Sequence, residues 1–253
     1  MSIQSVGRAL QILSLFTHEQ PRLGITEISR AMHLPKPTVH GLVQTMVNFK
    51  FLTQDPETRK YCLGRKLYEL GSVFTSHIKI NQVGTMSAQE LAARVGMAVN
   101  LAIWDDSSVL MTFRGASNYQ NLQPRQFASR IPAYCSSQGK AILSSLPDDA
   151  LVEYLDSTRL IAYTPNTITD RDKLTAELQH TRKQGFAVDC EEYIIGICCI
   201  GAPVLDNTGF PVGAVSISGS KEQIFGEKTH QLSSDLIKAA MEISYQMGYL
   251  PRI

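Results

Sequence analysis

The sequence has no apolar run approaching the roughly 18–20 residues that a membrane-crossing helix needs, and Met1–Arg8 lacks the charged-then-apolar order of a secretory signal. A cytoplasmic protein with no membrane partner is the expectation. No low-complexity stretch and no fixed-period repeat interrupts the 253 residues, so the whole chain is expected to fold. Its five cysteines, Cys62, Cys135, Cys190, Cys198 and Cys199, form no CxxC pair. An odd count suits free thiols in a reducing compartment better than a disulfide framework, and neither a metal nor a cofactor is expected. The one glycine-rich stretch, Gly209–Gly213, lacks the strand-then-helix setting of a phosphate loop.

What remains is an ordinary globular composition, 43% hydrophobic and 19% charged, long enough for two domains. The net charge of +1 hides an asymmetry. Met1–Lys66 holds nine basic against four acidic side chains, a net of +5, which leaves the rest of the chain at −4. A basic head on a mildly acidic body is the pattern expected when only the head meets phosphates.

Val6, Ala9, Leu10, Leu13 and Phe16 repeat at helical spacing and predict a first helix with one apolar stripe. A second helix over Glu27–Met32 is expected with Thr26 as its cap. A third opens at Pro37 and buries Val39, Leu42, Val43 and Met46, leaving Thr38, His40, Gly41, Gln44 and Thr45 outward. Two short strands, Phe51–Thr53 and Tyr61–Leu63, joined through Asp55-Pro56-Glu57-Thr58, read as a β-hairpin wing with Arg59 and Lys60 near its tip. Leu67, Leu70, Phe74 and Ile78 continue at helical spacing, so a linker helix over 65–80 should couple the wing to the second half.

The second half predicts a hairpin from Val99–Trp104 and Val109–Phe113. It also predicts helices over Gly139–Leu146, Asp148–Leu155 and Asp170–Gln184, the last capped by Thr169. Strands come next at Phe186–Glu191, Ile197–Val204 and Val212–Ser218, then one long helix over Lys221–Met247. The fold class is α/β (α+β): a winged helix-turn-helix over 1–64, the linker over 65–80, and a mixed sheet domain over 81–253.

Three helices, a basic hairpin and a third helix with a small, hydrogen-bonding outer face together point to double-stranded DNA. Gln44, Thr45 and Thr38 face the base edges in this reading, and Lys36, Arg59 and Lys60 meet phosphate. The chain also resembles the IclR family of bacterial transcription regulators. The resemblance is carried by Ser5-Val6-Gly7-Arg8-Ala9-Leu10-Gln11-Ile12-Leu13, Thr26-Glu27-Ile28, Leu34-Pro35-Lys36-Pro37-Thr38-Val39-His40 and Tyr61-Cys62-Leu63-Gly64. In the second half it continues through Gln138-Gly139-Lys140-Ala141-Ile142-Leu143, Asn166-Thr167-Ile168-Thr169, Gln184-Gly185-Phe186-Ala187-Val188-Asp189 and Ala202-Pro203-Val204. It implies a DNA-binding head, with His40 among its contacts, that dimerises on a palindromic operator. It further implies a GAF-like domain that binds a small organic acid effector and mediates tetramerisation, the whole serving as a repressor of a catabolic operon. Gly41 departs from the family, which commonly has a basic residue there.

Residues two apart in a strand share a face, so Asp189 and Glu191 should project together, as should Ser216 and Ser218. A solvated face for the acids and an ordinary sheet role for the serines are the alternatives. The resemblance implies that Ser137, Gln138, Asp189, Cys199, Ser216 and Ser218 line a small-acid site. Ser136-Ser137-Gln138-Gly139 enters a helix and either receives a carboxylate on its N–H groups or forms a simple N-cap. Lys140 is expected in solvent. The competing reading is a small-acid hydrolase or isomerase using Cys199 with Asp189 and His180 or His230, although the apolar run Ile197–Ile200 suits a buried, inert thiol.

Overall fold

The computed structural model describes residues 3–115 and 130–251. The chain divides into two compact units, Met1–Ser76 and His77–Ile253.

In the first unit, helices α1 (Gln4–Leu13), α2 (Ile25–Met32) and α3 (Lys36–Asn48) pack around Ile12, Ile28, Val39, Val43 and Met46. The hairpin β1 (Leu52–Gln54) and β2 (Tyr61–Leu63) closes this core with Leu52 and Tyr61. A single bridge between Leu23 and Tyr61 lays the segment before α2 along the hairpin. The one-stripe reading of α1 needs correction. Ile12 is buried, with Ala9 and Leu13 beside it, whereas Val6 and Leu10 are 53% and 60% exposed. With Ile3 they form a second apolar stripe outside the core. The cap of α2 is Gly24 and not Thr26, because the Gly24 N–H donates to the Glu27 carboxylate (2.6 Å). That bond leads the causes that lower the Glu27 carboxyl below its ordinary range. Helix α4 (Arg65–His77) buries no side chain among the described residues. Ile78, in an extended conformation, separates it from α5 (Lys79–Val95), so the stretch 65–80 holds a helix, a break and the start of the next helix.

Among the described residues the second unit holds a six-stranded sheet in the order β5-β4-β3-β8-β7-β6. Its strands are β3 (Ala98–Asp105), β4 (Ser108–Gly115), β5 (Arg130–Pro132), β6 (Ala187–Cys190), β7 (Cys198–Leu205) and β8 (Pro211–Gly219). Helices and strands are mixed in the domain as expected, while the strand pairings described are all antiparallel. Alternation sets the two faces. Val99, Leu101, Ile200, Ala202, Val215 and Ile217 bury one side under α5 and α10 (Thr229–Gln246). The other side lies under α6 (Ser137–Ser145), with α7 (Asp148–Ser157) and α8 (Arg171–Gln184) packed outside it. The cap of α8 is Asp170, whose carboxylate accepts the Lys173 N–H (2.8 Å), and not Thr169. The single terminal helix expected over Lys221–Met247 is two helices, α9 (Lys221–Ile224) and α10. The break at 225–228 contains Gly226, a poor helix former.

Candidate functional site

The α6-side face of the sheet carries an unusual concentration of polar groups. Strand register places Asp189 opposite Cys199 and Cys199 opposite Ser218 in one row; Asn100 stands opposite Ser216 in the next. Ser137 and Gln138 open α6 directly above. A Cβ built on Gly201 would lie 2.7 Å from the Ser137 carbonyl group and 2.9 Å from the Gln138 nitrogen, so only glycine lets the helix start rest on β7. All six residues assigned by resemblance are therefore brought onto one face, four of them buried and Cys199 and Ser218 partly so.

Their hydrogen bonds form a chain. Asn100 Nδ2 donates to Ser218 Oγ (3.0 Å) and lies 3.4 Å from Ser216 Oγ. The Cys199 thiol donates to Ser218 Oγ (3.2 Å), and Gln138 Nε2 donates to the Asn100 carbonyl (3.3 Å). The Asn100 Oδ1 atom is buried without a hydrogen-bond partner among the described residues. A buried acceptor left this way costs stability unless something binds it. Ser136 is the cap of α6 and accepts the Gly139 N–H (3.1 Å), so the N-cap alternative holds for this serine.

The turn after β6 fixes the setting of Asp189. Glu191 does not share its face: it adopts a left-handed backbone (φ 59°), which ends the alternation. Glu192 turns inward instead, and its N–H donates to Asp189 Oδ1 (2.8 Å). Lys140, expected in solvent, is 1% exposed and pairs with Glu192 (2.5 Å) and Glu177 (3.5 Å). The hydroxyls of Thr164 and Thr167 bond the Glu191 and Glu192 carbonyls (2.7 and 2.6 Å), which clamps the turn. Burial, reinforced by the nearby Glu192 charge, pushes the Asp189 carboxyl up to about 7 against the opposing pull of the Glu192 N–H and Lys140. Asp189 therefore takes up a proton more readily than an ordinary carboxyl. Arg114, which the sequence did not single out, sits opposite Asn100 on β4 and so on this same face. A surface cleft between α7 and α8 is separate, and its Arg182 is committed to the Ser144 and Leu146 carbonyls.

In the first unit, Lys36, Thr38, His40, Thr45 and Arg59 are exposed. Two of the expected DNA contacts have partners inside the unit. Gln44 Nε2 donates to the Tyr61 hydroxyl (3.2 Å), and Lys60 pairs with Glu27 (3.1 Å). Asp55 orders the wing tip by accepting the Glu57 and Thr58 N–H groups and pairing with Arg22 (2.9 Å).

Residues 5–56 match the IclR helix-turn-helix domain, and residues 73–245 match the C-terminal domain of the bacterial transcriptional regulator IclR. The chain belongs to the IclR family. It is 32% identical over 247 residues to the HTH-type transcriptional regulator XynR of Escherichia coli, covering 98% of both chains. To the transcriptional repressor IclR of the same organism it is 27% identical over 248 residues, covering 97% of this chain and 90% of that one. Its fold also matches the crystal structure of an IclR homologue from Microbacterium hydrocarbonoxydans complexed with 4-hydroxybenzoate. The TM-score is 0.81 at 23% identity, with 96% and 99% of the two chains covered.

As an IclR-family member the protein is a transcriptional regulator and not an enzyme, and Cys199 agrees with that. Burial pushes its thiol far above the ordinary range, the opposite of what a nucleophile needs. No described helix is long and apolar enough to cross a membrane. Sequence reasoning missed Asn100, Lys140, Glu192 and Arg114. The strand alternation of Val99–Trp104 was available to find Asn100, whereas no local signal marks Lys140 as buried.

Proposed function

We propose that this regulator is a ligand-responsive repressor of a catabolic operon. In this reading the segment 1–64 binds a palindromic operator, and the GAF-like segment 81–253 binds a small carboxylic, hydroxy or sugar acid on its α6-side sheet face. The observation that carries the effector half is the inward-facing polar cluster around Asp189, Asn100, Ser216 and Ser218. Packing alone favours apolar residues at such positions, because a buried polar group costs stability unless it is hydrogen-bonded, and departures from that pattern concentrate at functional sites. The hydroxyl and amide groups of Ser137, Gln138, Ser216 and Ser218 suit a carboxylate. Asp189, whose carboxyl burial pushes up, meets either a hydroxyl or a second acidic group. The 4-hydroxybenzoate in the Microbacterium homologue has this bipolar chemistry.

Two exposed apolar faces support self-association: Ile3, Val6 and Leu10 at the start of α1, and Leu70 and Phe74, one turn apart on α4. A homodimer or homotetramer presents two heads to a palindrome, and a single winged domain offers too little interface for tight binding. Lys36, Thr38, His40, Thr45 and Arg59 face the duplex. Gln44 and Lys60 reach it once they give up Tyr61 and Glu27.

Fluorescence anisotropy with labelled DNA from upstream of the gene tests the reading. Binding should weaken steeply with salt, and Arg59→Ala should weaken it about equally on all sequences. A thermal-shift screen of small acids should find one that raises the melting temperature and shifts operator affinity. Salt-insensitive binding, or no stabilising acid, contradicts it.

A further inference from the structure

Cys190 and Cys198 lie directly opposite each other on β6 and β7, with their sulfurs 3.7 Å apart. The bond that flanks them, from the Glu191 N–H to the Ile197 carbonyl (3.1 Å), puts the pair at a non-hydrogen-bonded position of the ladder. Opposed Cα atoms there are about 4.5 Å apart, inside the range that a disulfide spans. Both side chains face the α10 side of the sheet, so the pair is distinct from Cys199, which lies on the effector face.

The surroundings favour closure. Among the described residues strand β6 ends the sheet order, paired to β7 alone, so it can shift the short distance that brings two sulfurs to about 2.05 Å. Cys190 is half-buried on that edge and Cys198 is buried behind it, giving an accessible attacking thiol and a sheltered resolving one. Burial pushes the Cys198 thiol up to about 12, which disfavours it as the first nucleophile and assigns that step to Cys190.

We propose that Cys190 and Cys198 form a reversible dithiol modification site that is oxidised by a low-molecular-weight disulfide. The Cys190 thiolate attacks one sulfur of the small disulfide, forming a mixed disulfide and releasing one small thiolate. The Cys198 thiol then gives up its proton and attacks the Cys190 sulfur, displacing the second small thiolate. The two thiolates take up the two protein protons. The protein pair is thereby oxidised by two electrons and the small disulfide is reduced to two thiols. The next pair along the ladder is Asp189–Cys199, so the new bond stiffens the strands that carry the effector site.

The full-length protein is incubated with oxidised glutathione, and its thiols are counted after denaturation and mapped by peptide mass spectrometry. The expected result is loss of two of the five thiols, with a Cys190–Cys198 bridge that dithiothreitol reverses. Cys198→Ala should instead trap glutathione on Cys190, and Cys190→Ser should leave Cys198 unmodified. Five free thiols, a stable glutathione adduct on Cys190 in the wild type, or equal thiol loss in Cys190→Ser each overturns the proposal.

Discussion

The two faces of the C-terminal sheet are made from alternate residues of the same strands, yet they are built for opposite ends. On β8, Val215 and Ile217 join the apolar core under α10, while Ser216 and Ser218 hold a hydrogen-bonded polar chain under α6. One face lowers the free energy by removing apolar surface from water. The other gives up part of that gain and keeps a carboxyl that burial pushes well above the ordinary carboxylate range. A one-residue register slip would exchange the two faces, so the apolar face fixes the geometry of the polar one.

The largest effect expected from breaking this contrast lies behind the polar face. Lys140→Met leaves Glu192 buried without its cation and should cost about 3–5 kcal/mol, read by urea unfolding. Adding Glu192→Leu should recover much of the loss, because an apolar pair of similar volume needs no compensation. If the double variant is no more stable than the single, the loss does not come from an unpaired Glu192 carboxylate.

On the apolar face, Ile217→Ala should cost about 2–5 kcal/mol through lost burial and a residual cavity. The next residue, on the opposite face, behaves differently: Ser218→Ala removes the acceptor of the Asn100 amide and the Cys199 thiol and should cost about 0.5–1.5 kcal/mol while weakening effector binding. Equal losses from the two substitutions would erase the distinction between the faces.

A smaller effect, but a more diagnostic one, is the pH dependence of Asp189→Asn. Burial raises the folded-state pKa of Asp189 to about 7, so the charged form is disfavoured in the fold. The wild type therefore keeps this contribution in full below about pH 4, and loses it as the pH rises through about 7. Asn cannot ionise and still accepts the Glu192 N–H. The melting temperature of Asp189→Asn should gain on the wild type between about pH 4 and 7 and level off above that. A pH-independent difference would mean that Asp189 is ionised throughout.

Local signals made the three helices of the head, the wing and the three strands β6, β7 and β8 legible in the sequence. Period two was enough to put Asp189, Ser216 and Ser218 on strand faces, because a strand's alternation is a local property. It failed at Glu191, where a left-handed backbone ends the strand and hands the inward position to Glu192. The burial of Lys140 was hidden because its partners, Glu177 and Glu192, come from distant elements. Arg114 was missed because its place depends on pairing with Asn100 across the hairpin. Helix starts were misplaced by one or two residues, since Gly24 and Asp170 compete with adjacent threonines for the cap. The exposed side of α1 was misassigned because one apolar stripe was expected and the helix carries two.

The most direct test of the account is a calorimetric titration of the wild type and Asp189→Ala with an acid that stabilises the wild type in the thermal-shift screen. A hydrogen bond to a charged group contributes about 1.5–3 kcal/mol, so the variant should bind roughly ten- to a hundredfold more weakly. Its operator affinity without ligand should be unchanged. Equal affinity of the two proteins for the acid would contradict the assignment of the polar face as the effector site.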